Sequence, residues 1–539
     1  MRIRFTIVGL IVILSVPVSA APARGNRQRA RHISHQLLED KIRGGWAGQM
    51  IGVSFGAPTE FKSNGKIIEG KLPWGFSLDG EKIEGEKLWS LEAVSNAIDQ
   101  DDLYVEMTFA DVMDRFGLDA TIDQYGEAFK KSKYSLWHAN AAARRLLNNG
   151  VKAGWSGHPK YNIHANDIDF QIESDFIGLM TPGLPREAVK ICDRVGRVMN
   201  FGDGLYGGMF ITGMYAAAFF ENDARKVVEQ GLRCIPAKSG YGELIHDVLD
   251  WSARYPEDWK KTWQLLEEKW DKDDVCPGGA LNPFNIDAKL NGGYVALGLL
   301  YGKGDFTRTI EIATRCGQDS DCNPSSAGGI LGVMLGYSRI PHGWKAGIPQ
   351  LADRKFAYTN YSFNDITRST MKRALAVIER AGGKVTEPEI TVPHQEPNSP
   401  KLEVWNIGAP ERLVDVKDKA WSWKGTWSED KGRTDTRQVV GMSASGAGAE
   451  ATLNFTGTSV AVVGAHSQEG GRADIYLDDK KVGVISSYIV ERTTDNGLWH
   501  TYGLKPGTHR LHIVTRDDAD PRSKGKKTVI YRAILFRPK

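Results

Sequence analysis

Cys316-Gly-Gln-Asp-Ser-Asp-Cys-Asn-Pro-Ser-Ser-Ala-Gly-Gly329 sets two acids, Asp319 and Asp321, on a glycine-led loop and follows them with a run of small residues. Asn323 is a good N-cap and Pro324 a good first helical residue, so the acids belong to the loop that enters a small-residue helix. Alternating Asp on such a loop puts two carboxylates on one side of the turn, which suits a cation; an Asx-turn without a metal uses the same residues.

Helical character extends outward from this stretch. Phe306, Ile310 and Ala313 precede it at helical spacing, as do Val105, Phe109 and Met113 further back. Near the start of the region, Leu38, Ile42 and Trp46 repeat every four residues, and Gly44, Gly45, Gly48 and Gly52 leave small surfaces for close helix contact. The reading is an all-α domain over residues 34–385. Residues 386–401 follow as a linker, because Glu387 to Pro400 holds four prolines in fourteen residues and little to bury. Beyond it the period becomes two, at Leu453 and Phe455, Val460 and Val462, Ile475 and Leu477, and Leu511 and Ile513, with turns at Asp478-Asp479 and Pro506-Gly507. Residues 402–539 therefore read as an all-β jelly-roll sandwich.

A chain of 539 residues exceeds what one core supports, in keeping with this division. A net charge of +3, with no Lys/Arg block, gives no case for nucleic acid. Arg2 and Arg4, the apolar run Phe5 to Val18 and the small residues to Ala20 read as a signal peptide over residues 1–20, too short to span a bilayer. The expectation is a secreted or periplasmic protein without a membrane span. Export permits disulfides, but five cysteines leave at least one unpaired.

Other acids are candidates for chemistry. Asp101 and Asp102 stand side by side before the helical pattern at Leu103, where mutual repulsion calls for a hard cation, although an N-cap with a solvated neighbour is the plainer account. Glu60 follows a Pro turn at the end of the Gly-rich first helix. Asn166 to Asp175 carries Asp167, Asp169, Glu173 and Asp175 with Gln171 among them, enough for an acid/base pair or for hydroxyl contacts, or else a capped helix start with solvated acids. Asp203 and Tyr206, in Phe201-Gly-Asp-Gly-Leu-Tyr-Gly-Gly208, line a pocket or merely accompany glycine packing. Trp74 and Trp89 sit in a Gly-rich insertion read as a lid, sugar platform or local plug. Trp421, Trp423, Trp427 and Trp499 stack on sugars or fill the sandwich.

Taken together, Gly56-Ala-Pro-Thr-Glu60, Gln100-Asp-Asp-Leu103 and Gly317-Gln-Asp-Ser-Asp-Cys322 resemble, in type and order, the motifs of the ADP-ribosylglycohydrolase family over roughly residues 37 to 340. The resemblance implies an all-α fold with a magnesium centre, usually binuclear, and hydrolysis at the anomeric carbon of a ribofuranose. It puts Asp101, Asp102, Asp319 and Asp321 on metal-ligand positions and Glu60 beside the metal or the scissile sugar. Glu60, Glu173 and Asp175 are the acid/base candidates. Gln100 and Cys322 stand where the family has Thr, so the cation set is one or two Mg²⁺, with Mn²⁺ or Ca²⁺ as alternatives; a thiol is a poor magnesium ligand. Gln100, Asn166, Asp167, Asp169, Gln171, Asp203, Tyr206 and Cys322 are expected to meet substrate. The sandwich looks like galactose-binding modules attached to carbohydrate-active enzymes. The expected activity is metal-dependent hydrolysis of a furanosyl glycan or glycoconjugate. ADP-ribosyl or other N-ribosyl hydrolysis, and sugar binding without catalysis, are the alternatives.

Overall fold

A computed structural model describes residues 30–72, 96–433, 438–490 and 492–539. The signal-like segment, Trp74 and Trp89 lie outside the described residues. The helices that carry the argument are α1 (His35–Gly56), α2 (Asp101–Phe116), α3 (His138–Asn148), α4 (Asp203–Ala218), α5 (Ala288–Gly302), α6 (Cys322–Leu335) and α7 (Phe363–Arg380). Together with shorter helices they form the first domain. Strands dominate from Ala409 onward.

The domain is organised by the pairing of α1 with α6. Gly44, Gly48, Gly52 and Gly56 recur every four residues and face Gly332, Gly328, Pro324 and Ser320 in antiparallel order. A β-carbon on Gly48 would stand 2.1 Å from the Gly328 carbonyl oxygen, and one on Gly52 equally close to that of Pro324. Only hydrogen fits there, so the two backbones touch along four turns. Trp46 on another face of α1 is fully buried and donates its indole N–H to Thr370 of α7 at 3.1 Å. Buried Lys41 donates to the carbonyls of Ala218, Val333 and Met334, closing the C-terminal ends of α4 and α6 with one ammonium group. Burial lowers its pKa to about 8. Asn323, expected as the N-cap of α6, lies inside the first turn; the cap position belongs to Asp321.

The proline-rich stretch is not a free spacer. Ile390–Val392 pairs antiparallel with Arg31–Ile33 and with Lys384–Val385, so a small sheet clasps the two ends of the helical domain. Further along, Glu396 accepts from Arg233 and Glu403 from Arg197. Burying Ile390 and Val392 offsets the ordering cost that proline composition alone leaves uncovered.

The second domain is a sandwich of antiparallel sheets. One sheet runs Lys480–Ser486, Gly471–Leu477, Gly507–Ala519, Glu450–Gly457, Trp421–Lys424. In the other, Lys527–Arg537 pairs on one side with Ser459–His466 and on the other successively with Gln438–Ser445 and Ala409–Asp415. Trp421 is buried in the core and stacks on Trp423 at 5.3 Å, with Trp427 against Trp423 at 4.8 Å. Each indole of the three donates to a backbone carbonyl, a packing arrangement. Trp499 instead lines a cleft of about 1060 Å³ against Tyr161 and Arg145 of the helical domain.

The domains meet on a built surface. Ile163, Val275 and Ala280 pack with Ile407, Ala461, Val463, Ile534 and Phe536 of the sandwich. Arg532 donates to the Pro277 carbonyl at 2.7 Å and pairs with Asp495. All five cysteines are buried free thiols.

Candidate metal centre and its cavity

The α1–α6 contact delivers the site. Where α1 ends, Thr59 shares a 2.8 Å hydrogen bond with Ser320, the Phe61 N–H donates to the Gln318 carbonyl, and the Gln318 N–H donates back to Ser63. Gly317 has φ +82°, and a β-carbon there would fall 2.2 Å from the Ser63 carbonyl, so the loop needs glycine twice over. These bonds hold Glu60 beside Asp319.

Helix α2 brings the second pair. Asp101 and Asp102 occupy its first turn, which a helix N-terminus favours by up to about 1 kcal/mol each, far less than the cost of burying a charge. Asp102 is 1% exposed. Its Oδ2 accepts from the Cys322 thiol at 3.2 Å, and Asp319 Oδ1 accepts from the Cys322 N–H at 3.4 Å. The two acid pairs, more than two hundred residues apart in sequence, are thus one site joined through Cys322. Asp319, Asp321 and Cys322 each present a ligand atom within 4.8 Å of the others.

Above this group lies a cavity of about 450 Å³. Glu60, Asp99, Asp101, Asp169 and Asp319 supply its acids, Gln100, Asn140 and Cys322 further polar groups, and Phe61, Tyr104, Trp137 and His138 aromatic walls. Beneath it Glu106 is fully buried, with one oxygen accepting from the Phe176 N–H at 2.6 Å.

The electrostatics require a counter-charge. Burial raises the carboxyl of Asp319 to about 8, with Glu60 adding repulsion. Burial first, then Asp101 and Asp321, drives Asp102 well above the carboxylate range. Burial and Asp319 do the same to Asp321, and burial alone raises Asp101. Among the described residues no Lys or Arg pairs with any of the four. Asp102 Oδ1 and Asp321 Oδ1 are buried without a hydrogen-bond partner. Convergent, unpaired hard oxygens fit a divalent cation such as magnesium, and the residues present pass that test.

Several expected substrate contacts lie elsewhere. Asp203 accepts from the Tyr241 N–H, and Tyr206 holds the segment after the small sheet through Lys401 and Glu403; neither lines the cavity. Gln171 bonds Tyr241 in the interior, and the Asn166 carbonyl receives the first N–H of α5. Asp175 points inward to Tyr215 at 2.7 Å and Ser326 at 3.5 Å, and Glu173 is buried against Asn140; both support the floor instead of facing the cavity. Asp169 does line the cavity while accepting from the N–H groups of Ala139 and Asn140 at the start of α3. Asp167 sits with His138, His164 and Cys276. Glu106 and His138 are among the residues that the sequence alone did not single out. Glu106 lies four residues after Asp102, a spacing that puts both on one helix face. His138 carried no local signal, although φ +45° at the first residue of α3 marks a strained position.

No curated relative matches the chain. A solved structure described as an ADP-ribosylglycohydrolase-related protein complex aligns at 12% identity over 63% of this chain and 98% of its own, with a TM-score of 0.40. The CBM36-1 domain of a multidomain xylanase from the hindgut metagenome of Trinervitermes trinervoides aligns at 12% over 23% of this chain and 93% of its own, TM-score 0.15. A Paenibacillus xanthan lyase aligns at 10% over 28% of this chain and 15% of its own, TM-score 0.18. The sequence profile of the family described as ADP-ribosylglycohydrolase matches residues 34–376, which contain α1 through most of α7 and every acid of the site. This chain belongs to the ADP-ribosylglycohydrolase family.

Proposed function

We propose that the chain is a divalent-metal-dependent glycoside hydrolase acting outside the cytoplasm on a furanosyl sugar of a glycan or glycoconjugate. Membership of a glycohydrolase family supports the reaction class. The observation that carries the substrate is the cavity lining: several acids and the aromatic faces of Phe61, Tyr104, Trp137 and His138, with Lys62 as the one lining Lys or Arg among the described residues. Acids accept hydrogen bonds from sugar hydroxyls and aromatic faces cover the C–H side of a ring, whereas a pyrophosphate would meet repulsion.

Asp101, Asp102, Asp319 and Asp321 would hold one or two Mg²⁺, or Mn²⁺ or Ca²⁺, with Gln100 able to add a carbonyl oxygen. The chemistry such an ion would supply is a lowered pKa for water and orientation of sugar hydroxyl groups. Glu60, exposed at the cavity, is the group placed to carry a proton to or from the glycosidic oxygen. Asp169 accepts a substrate hydroxyl, its other bonds to α3 keeping it fixed. Phe61, Tyr104 and Trp137 exclude water from one side of the ring. The signal-like N-terminus supports export, and the sandwich supports a carbohydrate-binding role.

The family itself favours a second reading, hydrolysis of an ADP-ribosyl or other N-ribosyl bond. A panel of aryl furanosides, ribonucleosides and ADP-ribosylated protein, assayed with Mg²⁺ and with chelator, separates the two. Furanoside turnover that stops with chelator supports the proposal; turnover of ADP-ribosylated protein alone replaces it with the second reading, and full activity in chelator overturns both.

A further inference from the structure

Next to the carboxylate site, and chemically unlike it, four side chains from three distant stretches converge on a single point. His138 opens α3, His164 and Asp167 lie on the following loop, and Cys276 comes from the loop before α5. We propose that His138, His164, Asp167 and Cys276 form a second, closed metal site for one zinc-class ion, which fixes the wall shared by the cavity and the domain junction.

The distances carry this assignment. Cys276 Sγ lies 3.7 Å from His138 Nδ1 and 3.6 Å from His164 Nδ1, and His138 Nδ1 lies 3.6 Å from Asp167 Oδ2. A tetrahedral zinc ion with bonds of about 2.0 to 2.3 Å has ligand-to-ligand edges of roughly 3.3 to 3.8 Å. The fourth edge, His164 Nδ1 to Asp167 Oδ2, is 2.8 Å because a hydrogen bond spans it. All four atoms fall within 4.8 Å of one another.

Donor type and burial select the ion. Two imidazoles, one thiol and one carboxylate form a borderline-soft set that suits zinc and not magnesium. His164, Asp167 and Cys276 are buried, and His138 is the one member with appreciable exposure. Asp167 Oδ1 is buried without a hydrogen-bond partner, and the two histidines are the only ion-pair partners of Asp167 among the described residues. An inward-facing carboxylate in such surroundings calls for a cation. A Cys–His–Asp relay is the wrong description: thiol and carboxylate both address Nδ1 of His164, whereas a relay needs them on opposite ring nitrogens. Supporting bonds are in place, since Asp274 accepts from the Cys276 N–H at 2.9 Å and Phe284 stacks on His138 at 5.8 Å.

Four protein ligands leave no open position, the mark of a structural site. His138 and Trp137 border both the sugar-sized cavity and a second cavity of about 200 Å³ walled by Thr493 to Asn496 of the sandwich. An ion here would tie the cavity wall to the surface on which the sandwich rests.

The test uses the full chain, stripped with chelator and reloaded with Zn²⁺ or Co²⁺. Expected are one tightly held zinc per chain by elemental analysis, a cobalt spectrum with tetrahedral d–d bands and a thiolate charge-transfer band, and a rise in melting temperature with Zn²⁺. The thiolate band should vanish in Cys276→Ser and persist in Cys322→Ser, which assigns it to this cluster and not to the carboxylate site. His164→Gln, melted beside Cys276→Ser, guards against simple misfolding, because both should melt like the stripped parent and gain nothing from Zn²⁺. Absence of tight zinc in the parent, a band that survives Cys276→Ser, or equal zinc stabilisation of parent and variants overturns the site.

Discussion

The two clusters flank one cavity wall yet are built on opposite principles. The carboxylate site gathers hard oxygens, sits open to a cavity, and rests on a backbone contact between α1 and α6. The His-His-Asp-Cys cluster gathers softer donors, is closed, and is assembled from loops. Openness separates chemistry from architecture: a site that leaves oxygens facing space can admit water and a sugar, whereas one that uses every donor internally can only hold the fold. Each can therefore be broken without the other.

The largest effect should come from Asp319→Ala. Loss of several kcal/mol of charge stabilisation is expected to lower kcat by about 10³-fold, with zinc content unchanged; retention of near-normal turnover on the active substrate would remove the carboxylate site from the mechanism. Gly48→Leu should come next, costing about 3 kcal/mol in a denaturation experiment because its side chain meets the Gly328 carbonyl, with no flexible neighbour to move aside. A neutral result there would refute the backbone contact.

A smaller effect is the response to pH. Asp319 has a folded pKa of about 8, above its unfolded value near 3.8. In chelator the folded form therefore binds the extra proton, and the stability it confers is complete below about pH 4 and lost as pH rises toward 8. Mg²⁺ should raise the melting temperature more at pH 8 than at pH 5; an equal shift at both would uncouple this carboxyl from the ion. The smallest is Cys322→Thr, which replaces a thiol by an oxygen donor and should tighten Mg²⁺ about tenfold in calorimetry. Weaker binding would show that the Cys322 bond to Asp102 matters more than donor hardness.

What the sequence made legible follows from range. The glycines of α1 and the small residues of α6 announce a close helix pair at four-residue spacing, and the order of the acid motifs makes two pairs one site. The direction of a side chain on a short helix is less visible: Asp175 and Glu173 belong to the same acidic run as Asp169, but only Asp169 reaches the cavity. Nor could the convergence of His138, His164 and Cys276 be read, since more than a hundred residues separate the thiol from its nearest partner and each is unremarkable alone. The proline-rich stretch misled for a related reason, because composition reports what a segment can bury by itself and not the partner strand at Arg31–Ile33 that it finds.

The glycine seam between α1 and α6 has a mechanical consequence. Side chains that interdigitate can change rotamer and yield by tenths of an ångström, but backbones already in contact have almost no compliance. The spacing between Glu60 and Asp319 is set by that stiff seam, so a substrate must match the distance between these two acids and cannot draw them together or apart.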